Sequence, residues 1–65
     1  MDGDRLTAKQ EAVCELVVKG WSNKEIAAKL GIDHRTVETH RANVFEKMGV
    51  RNAVELTRKM LGAEV

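Results

Sequence analysis

Four times along this 65-residue chain a helix-capping residue stands just ahead of a helical apolar period, and that punctuation leaves little room for any fold but a small all-helical one. Thr7 with Gln10 three residues on has capping-box spacing, after which Val13, Leu16 and Val17 recur at helical period until Gly20. Ser22 with Glu25 repeats the box with its preferred pair, and Ile26, Ala27 and Leu30 form a narrow apolar face before Gly31. Asp33 is a cap for a third helix from His34 to Met48, with Val37, Val44 and Met48 facing inward and Gly49 closing it. Asn52 and Glu55 make one more box. The predicted architecture is an all-α four-helix bundle over residues 5–65, with helices near 22–30, 34–48 and 52–61 following the first. Met1 to Asp4 look like a disordered start or a leftover of expression.

Composition agrees with that outline. There is no proline or tyrosine, and one Trp and one Phe, where strands are usually richer in aromatic residues. A chain this short buries only about 60% of the surface its unfolded form exposes, so the core is thin. Trp21 is expected to pack as a plate over the helix ends, since a single aromatic cannot stack several bases. The single Cys14 cannot form an intrachain disulfide and is expected in the core; a cytoplasmic setting fits it. No apolar run approaches the roughly 20 residues that span a bilayer.

The spacing across the second turn is the most specific feature. In the segment NKEIAAKLGIDHRTVETHRA, Ala27 is small where a second helix would cross, Gly31 suits a positive φ in a three-residue turn, and Ile26, Leu30, Ile32 and Val37 fill the angle between the helices. That is the pattern of a helix-turn-helix, with residues 22–30 as scaffold helix and 34–48 as recognition helix. At 100° per residue, Arg35, Glu38, Thr39, Ala42, Asn43 and Glu46 share one polar side opposite Val37, His40 and Val44.

That side carries the candidate base readers. Thr39 and Ala42 are small enough for close approach and offer methyl groups to thymine; Asn43 is matched to adenine and Glu38 to a cytosine amine, with Arg35 beside them. Asn23 and Lys24, at the start of the scaffold helix, together with Thr36 and Arg41 on the flanks, are the candidate phosphate ligands. Lys47 and Arg51 read equally well as further contacts or as solvated charges. Whole-chain charge is only +1, but residues 19–51 hold seven bases against four acids. That local excess suits a phosphate-facing surface.

Enzyme chemistry finds little to work with. His34, His40 and Cys14 are the candidate nucleophiles, bases or soft metal ligands, and the two histidines do not share a helix face. His40 is expected to be half-buried and bonded to backbone. No catalytic residue, metal or cofactor is expected. A helical protein-interaction module is the alternative from another class, and a promoter-reading helix-turn-helix of a sigma factor is the alternative within DNA binding.

The Leu6-Thr7 opening, GWSNKEIAAKLGI from Gly20, TVETHRANVFEKMGV from Thr36 and RNAVEL from Arg51 resemble the LuxR-type, or GerE-like, helix-turn-helix over nearly the whole chain. Within that family TVE, HRANV and KM are most similar to the FixJ/NarL-like response regulators. The resemblance implies a four-helix fold, double-stranded DNA binding for transcription regulation, an output role beneath a separate receiver domain, and homodimerisation through the last helix. It also implies that Glu38, Thr39 and Ala42 face bases and that Lys24 and Thr36 face phosphates. Thr57 departs from the aliphatic residue common there. In the last helix Ala53, Leu56 and Met60 form a stripe expected to face the core, while Val54, Arg58 and Leu61 form a second, spare one. A weak homodimer through that second stripe, an inverted-repeat operator and contact with RNA polymerase are the expected partnerships, with no membrane partner.

Overall fold

The computed structural model describes residues 5–62, so the expected disordered start at 1–4 and the last three residues of the expected domain lie outside it. Four helices follow in order: α1 (Ala8–Val18), α2 (Asn23–Leu30), α3 (His34–Met48) and α4 (Ala53–Met60). No strand occurs among the described residues.

The caps act as their sequence spacing predicts, with one exception. Thr7 and Gln10 bond reciprocally at 3.1 Å in each direction, and Ser22 and Glu25 at 3.1 and 2.9 Å. Asp33 Oδ2 accepts from the Arg35 N–H at 3.0 Å. At α4 only half a box forms: Asn52 Oδ1 accepts from the Glu55 N–H, but the Glu55 carboxylate accepts from the Arg51 N–H, one residue earlier than the box requires. Asn52 has a fully extended backbone, with φ −157° and ψ 176°. That turns its own N–H away and presents the neighbouring one.

The turn that sets the angle between α2 and α3 is built on Gly31 at φ +67°. Its N–H and that of Ile32 both donate to Ala27 O, the latter at 3.1 Å, so one carbonyl of the last turn of α2 is closed by the turn itself. α1 and α3 end with the paired bonds of a Schellman motif, Trp21 N–H to Leu16 O with Gly20 N–H to Val17 O, and Val50 N–H to Phe45 O with Gly49 N–H to Glu46 O.

α1 is the central element. It packs against α3 and α4, which barely touch one another, and α3 also packs against α2. Of the eight buried apolar residues, Val13, Cys14, Leu16 and Val17 come from α1, Ile26 from α2, Val37 and Val44 from α3, and Leu56 from α4. Trp21, Ala27, Ile32, Met48 and Ala53 pack around them half-buried. Cys14 therefore lies in the core, and burial, followed by the nearby Glu15 and Glu11 carboxylates, pushes its thiol pKa up.

The stripe expected to carry α4 onto the core stops short of its end. Ala53 and Leu56 pack inward, but Met60 is 45% exposed. As the last residue of an eight-residue helix it does not enter the core but lines a shallow groove with Leu6, Glu11, Cys14 and Glu15.

Candidate nucleic-acid interface

Asp33 starts α3 with its outer face clear of the core, and Arg35, Glu38, Thr39, Ala42 and Glu46 are all exposed along it. Thr36 is exposed on one flank. Asn43 is only half-buried at the edge of this face rather than centred on it, since it lies close to the Thr36 flank at 100° per residue. No large apolar side chain stands on the exposed strip. Two of its polar groups are already engaged. Thr39 Oγ1 donates to Arg35 O at 3.2 Å, which turns the hydroxyl onto the helix and leaves the methyl free to face outward. Glu38 Oε2 lies 3.2 Å from His34 Nδ1, one turn earlier, with both side chains 54% exposed.

Of the four residues predicted to bind phosphate, Asn23 and Arg41 are joined to one another. Arg41 Nη1 donates to Asn23 Oδ1 at 3.1 Å, a contact between α3 and the first residue of α2. The same guanidinium lies over the Phe45 ring, 5.3 Å from its centroid. Lys24 is exposed next to Asn23, and the Ser22 cap takes up the Glu25 N–H, leaving the N–H groups of Asn23 and Lys24 at the mouth of α2. Thr36 stands apart on the other flank of α3. The arrangement gathers Asn23, Lys24 and Arg41 on one side of the reading face, where a helix N-terminus and two cations make a region of positive potential.

Three other side chains take positions that sequence spacing does not disclose. Lys47 is a strut: its Nζ donates to Arg5 O at 2.8 Å and to Gln10 Oε1 at 3.0 Å, tying α3 to the start of α1. Gln10 is only 7% exposed, so this amide is satisfied by Lys47 and by its own capping box. Lys59 Nζ donates to Met48 O at 2.8 Å, a cation on the carbonyl end of α3. His40 is half-buried as expected, but instead of bonding to backbone its Nδ1 is buried with no hydrogen-bond partner among the described residues.

On the far side, Val54 and Leu61 are 64% and 70% exposed, with Arg58 exposed between them. They border shallow grooves between α1 and α4 that also involve Val17, Val18 and Thr57. Among the described residues, no helix is long and apolar enough to cross a membrane, and no group of three or more His, Cys, Asp or Glu side chains could hold a metal ion.

A two-helix turn closed by Gly31, followed by a helix whose outer side is polar and flanked by cations, defines a helix-turn-helix of the DNA-binding kind. Residues 4–60 match the family described as bacterial regulatory proteins, luxR family, and the chain belongs to it as a DNA-binding domain. It is 51% identical over 57 residues to the transcriptional regulatory protein UhpA of Escherichia coli, covering 88% of this chain and 29% of that protein. It is 47% identical over 60 residues to the transcriptional regulatory protein FixJ of Azorhizobium caulinodans, covering 92% and 28%. With the tetrathionate response regulatory protein TtrR of Salmonella typhimurium it shares 47% identity over 55 residues, covering 85% and 27%. The chain thus spans under a third of the length of these relatives.

Proposed function

We propose that this chain is the sequence-reading output domain of a two-component response regulator, acting in the cytoplasm on double-stranded DNA and catalysing no reaction. The observation that carries the reading is the exposed polar strip of α3, presented by a rigid turn and bordered by Asn23, Lys24 and Arg41. In this reading α3 enters the major groove. Glu38 accepts from a cytosine amine, the methyl groups of Thr39 and Ala42 meet thymine, and Arg35 and Asn43 contact bases at the edges. Lys24, the α2 N-terminus, Thr36 and Arg41 hold the backbone and set the register.

The Glu38–His34 pair supports a role in selection rather than affinity. A carboxylate on a DNA-facing surface repels phosphate, and a cytosine amine is the base group it can accept from. The exposure of Val54, Arg58 and Leu61 supports their use as the surface through which two copies pair weakly on an inverted repeat. The response-regulator names of several relatives support an upstream phosphorylatable domain as the controlling element, and transcription regulation makes RNA polymerase a further partner.

The test is selection of bound sequences from a randomised duplex pool, followed by anisotropy across a salt series. An enriched inverted repeat is expected, with log affinity falling linearly against log salt. Glu38→Ala should relax the preference at one position of each half-site, a loss of about 1–3 kcal/mol in discrimination. Lys24→Ala should weaken all sequences alike and reduce the salt slope by roughly one. Absence of binding at low salt would instead favour a helical protein-interaction module.

A further inference from the structure

The Arg41 guanidinium is held at two points before any DNA arrives. Nη1 donates to Asn23 Oδ1 at 3.1 Å, and the guanidinium carbon Cζ lies over the Phe45 ring, 5.3 Å from its centroid. We propose that Phe45 is a positioning residue for DNA binding: its ring, together with Asn23, fixes Arg41 in the geometry in which its remaining N–H groups meet a backbone phosphate. The proposal rests on Arg41 being a phosphate ligand, as argued above.

A guanidinium carries five N–H donors in a planar fork. Asn23 Oδ1 engages Nη1, and the cation–π contact with the Phe45 ring supplies no hydrogen-bond acceptor oxygen, so most of the fork stays available to an incoming oxyanion. A long arginine side chain otherwise loses much rotamer freedom on binding, and holding it in place beforehand removes that cost. Both partners sit on rigid elements. Asn23 is the first residue of α2, behind the Ser22 cap, and Phe45 is one turn beyond Arg41 on the same helix, half-buried against the core. Phe45 therefore has two jobs, packing and cradling, and only the second requires an aromatic ring.

Binding of a randomised 20-base-pair duplex, read by anisotropy over a potassium chloride series, separates them. Phe45→Leu keeps apolar bulk and removes the ring; the loss of affinity expected is about two- to fivefold at every salt concentration, with the salt slope unchanged because no charge is lost. Phe45→Tyr, which keeps the ring, should bind as the parent does. Arg41→Ala should lower the slope by about 0.9. In that background Phe45→Leu should cause no further loss, because nothing remains to be positioned. Asn23→Ala removes the other hold without touching the core; its effect should likewise vanish with Arg41 gone, and it supplies the reading if Phe45→Leu does not fold.

Additive losses from Phe45→Leu and Arg41→Ala, or equal weakening by Phe45→Tyr and Phe45→Leu, would overturn the proposal while leaving Arg41 a phosphate ligand. A slope unmoved by Arg41→Ala would remove the phosphate role of Arg41 and the proposal with it.

Discussion

Replacing Lys47 with Met separates a cation that binds DNA from one that holds the domain together. Lys47 Nζ makes two bonds, to Arg5 O at 2.8 Å and to Gln10 Oε1 at 3.0 Å, joining α3 to the segment ahead of α1 and to its first turn. Met preserves most of the stem and its packing but donates nothing. A hydrogen bond from a charged donor contributes about 1.5–3 kcal/mol when well shielded. The Arg5 contact is solvent-exposed and the Gln10 contact partly buried, and Gln10 Oε1 keeps the Thr7 N–H as a partner. The loss therefore falls lower, at about 1–2 kcal/mol. For a domain of this size each kcal/mol moves Tm by about 4–8 °C, so thermal unfolding by circular dichroism should fall by roughly 5–15 °C. Because Lys47 is already engaged within the protein, the salt dependence of DNA binding at a temperature where both proteins are folded should not change. An unchanged Tm together with a salt slope reduced by about one unit would refute the reasoning and make Lys47 a phosphate ligand.

Gly31→Ala should cost about 1–2 kcal/mol in chemical denaturation, because φ +67° strains an L side chain while an added Cβ meets nothing within 4 Å; a much larger loss would mean the turn is held by contacts rather than by backbone geometry. Leu61→Asp should weaken self-association in sedimentation velocity without changing helix content, and unchanged association would exclude the Val54–Leu61 surface as the pairing site. The Cys14 thiol should react slowly with a disulfide reagent in the folded protein and quickly in denaturant. Its raised pKa also means that the unfolded chain releases the proton first, so this group's contribution to stability is complete below about pH 9 and declines above it. Unfolding midpoints of Cys14→Ala and the parent that respond identically between pH 8 and 10.5 would contradict that linkage.

Local chemistry made most of the fold readable. A cap bonds to a backbone group two or three residues away and a stop glycine closes its own turn, so Thr7, Ser22, Asp33, Gly31 and Gly49 declare helix limits without reference to the rest of the chain. Where a local signal failed, the backbone differed by one dihedral: Asn52 is so extended that Glu55 caps Arg51 instead. The exposed polar strip of α3 was legible for the same reason, because angular position along one helix follows from residue number alone. Long-range partners were not. Lys47 finds Arg5 across 42 positions and Arg41 finds Asn23 across 18, and a helical wheel shows both cations only as flank residues. Met60 had the right period to face inward, but period does not disclose how closely the end of α4 approaches α1, and Met60 is left lining a groove there.

With α1 lodged between α3 and α4, the two outward surfaces of the domain have separate foundations. Side chains on the DNA-facing strip can be exchanged without disturbing Val54, Arg58 or Leu61, and the converse holds as well. Under the proposed function, lineages and protein engineers can thus retarget which operator is read through α3 while keeping the proposed pairing surface, or alter that surface while leaving α3 intact.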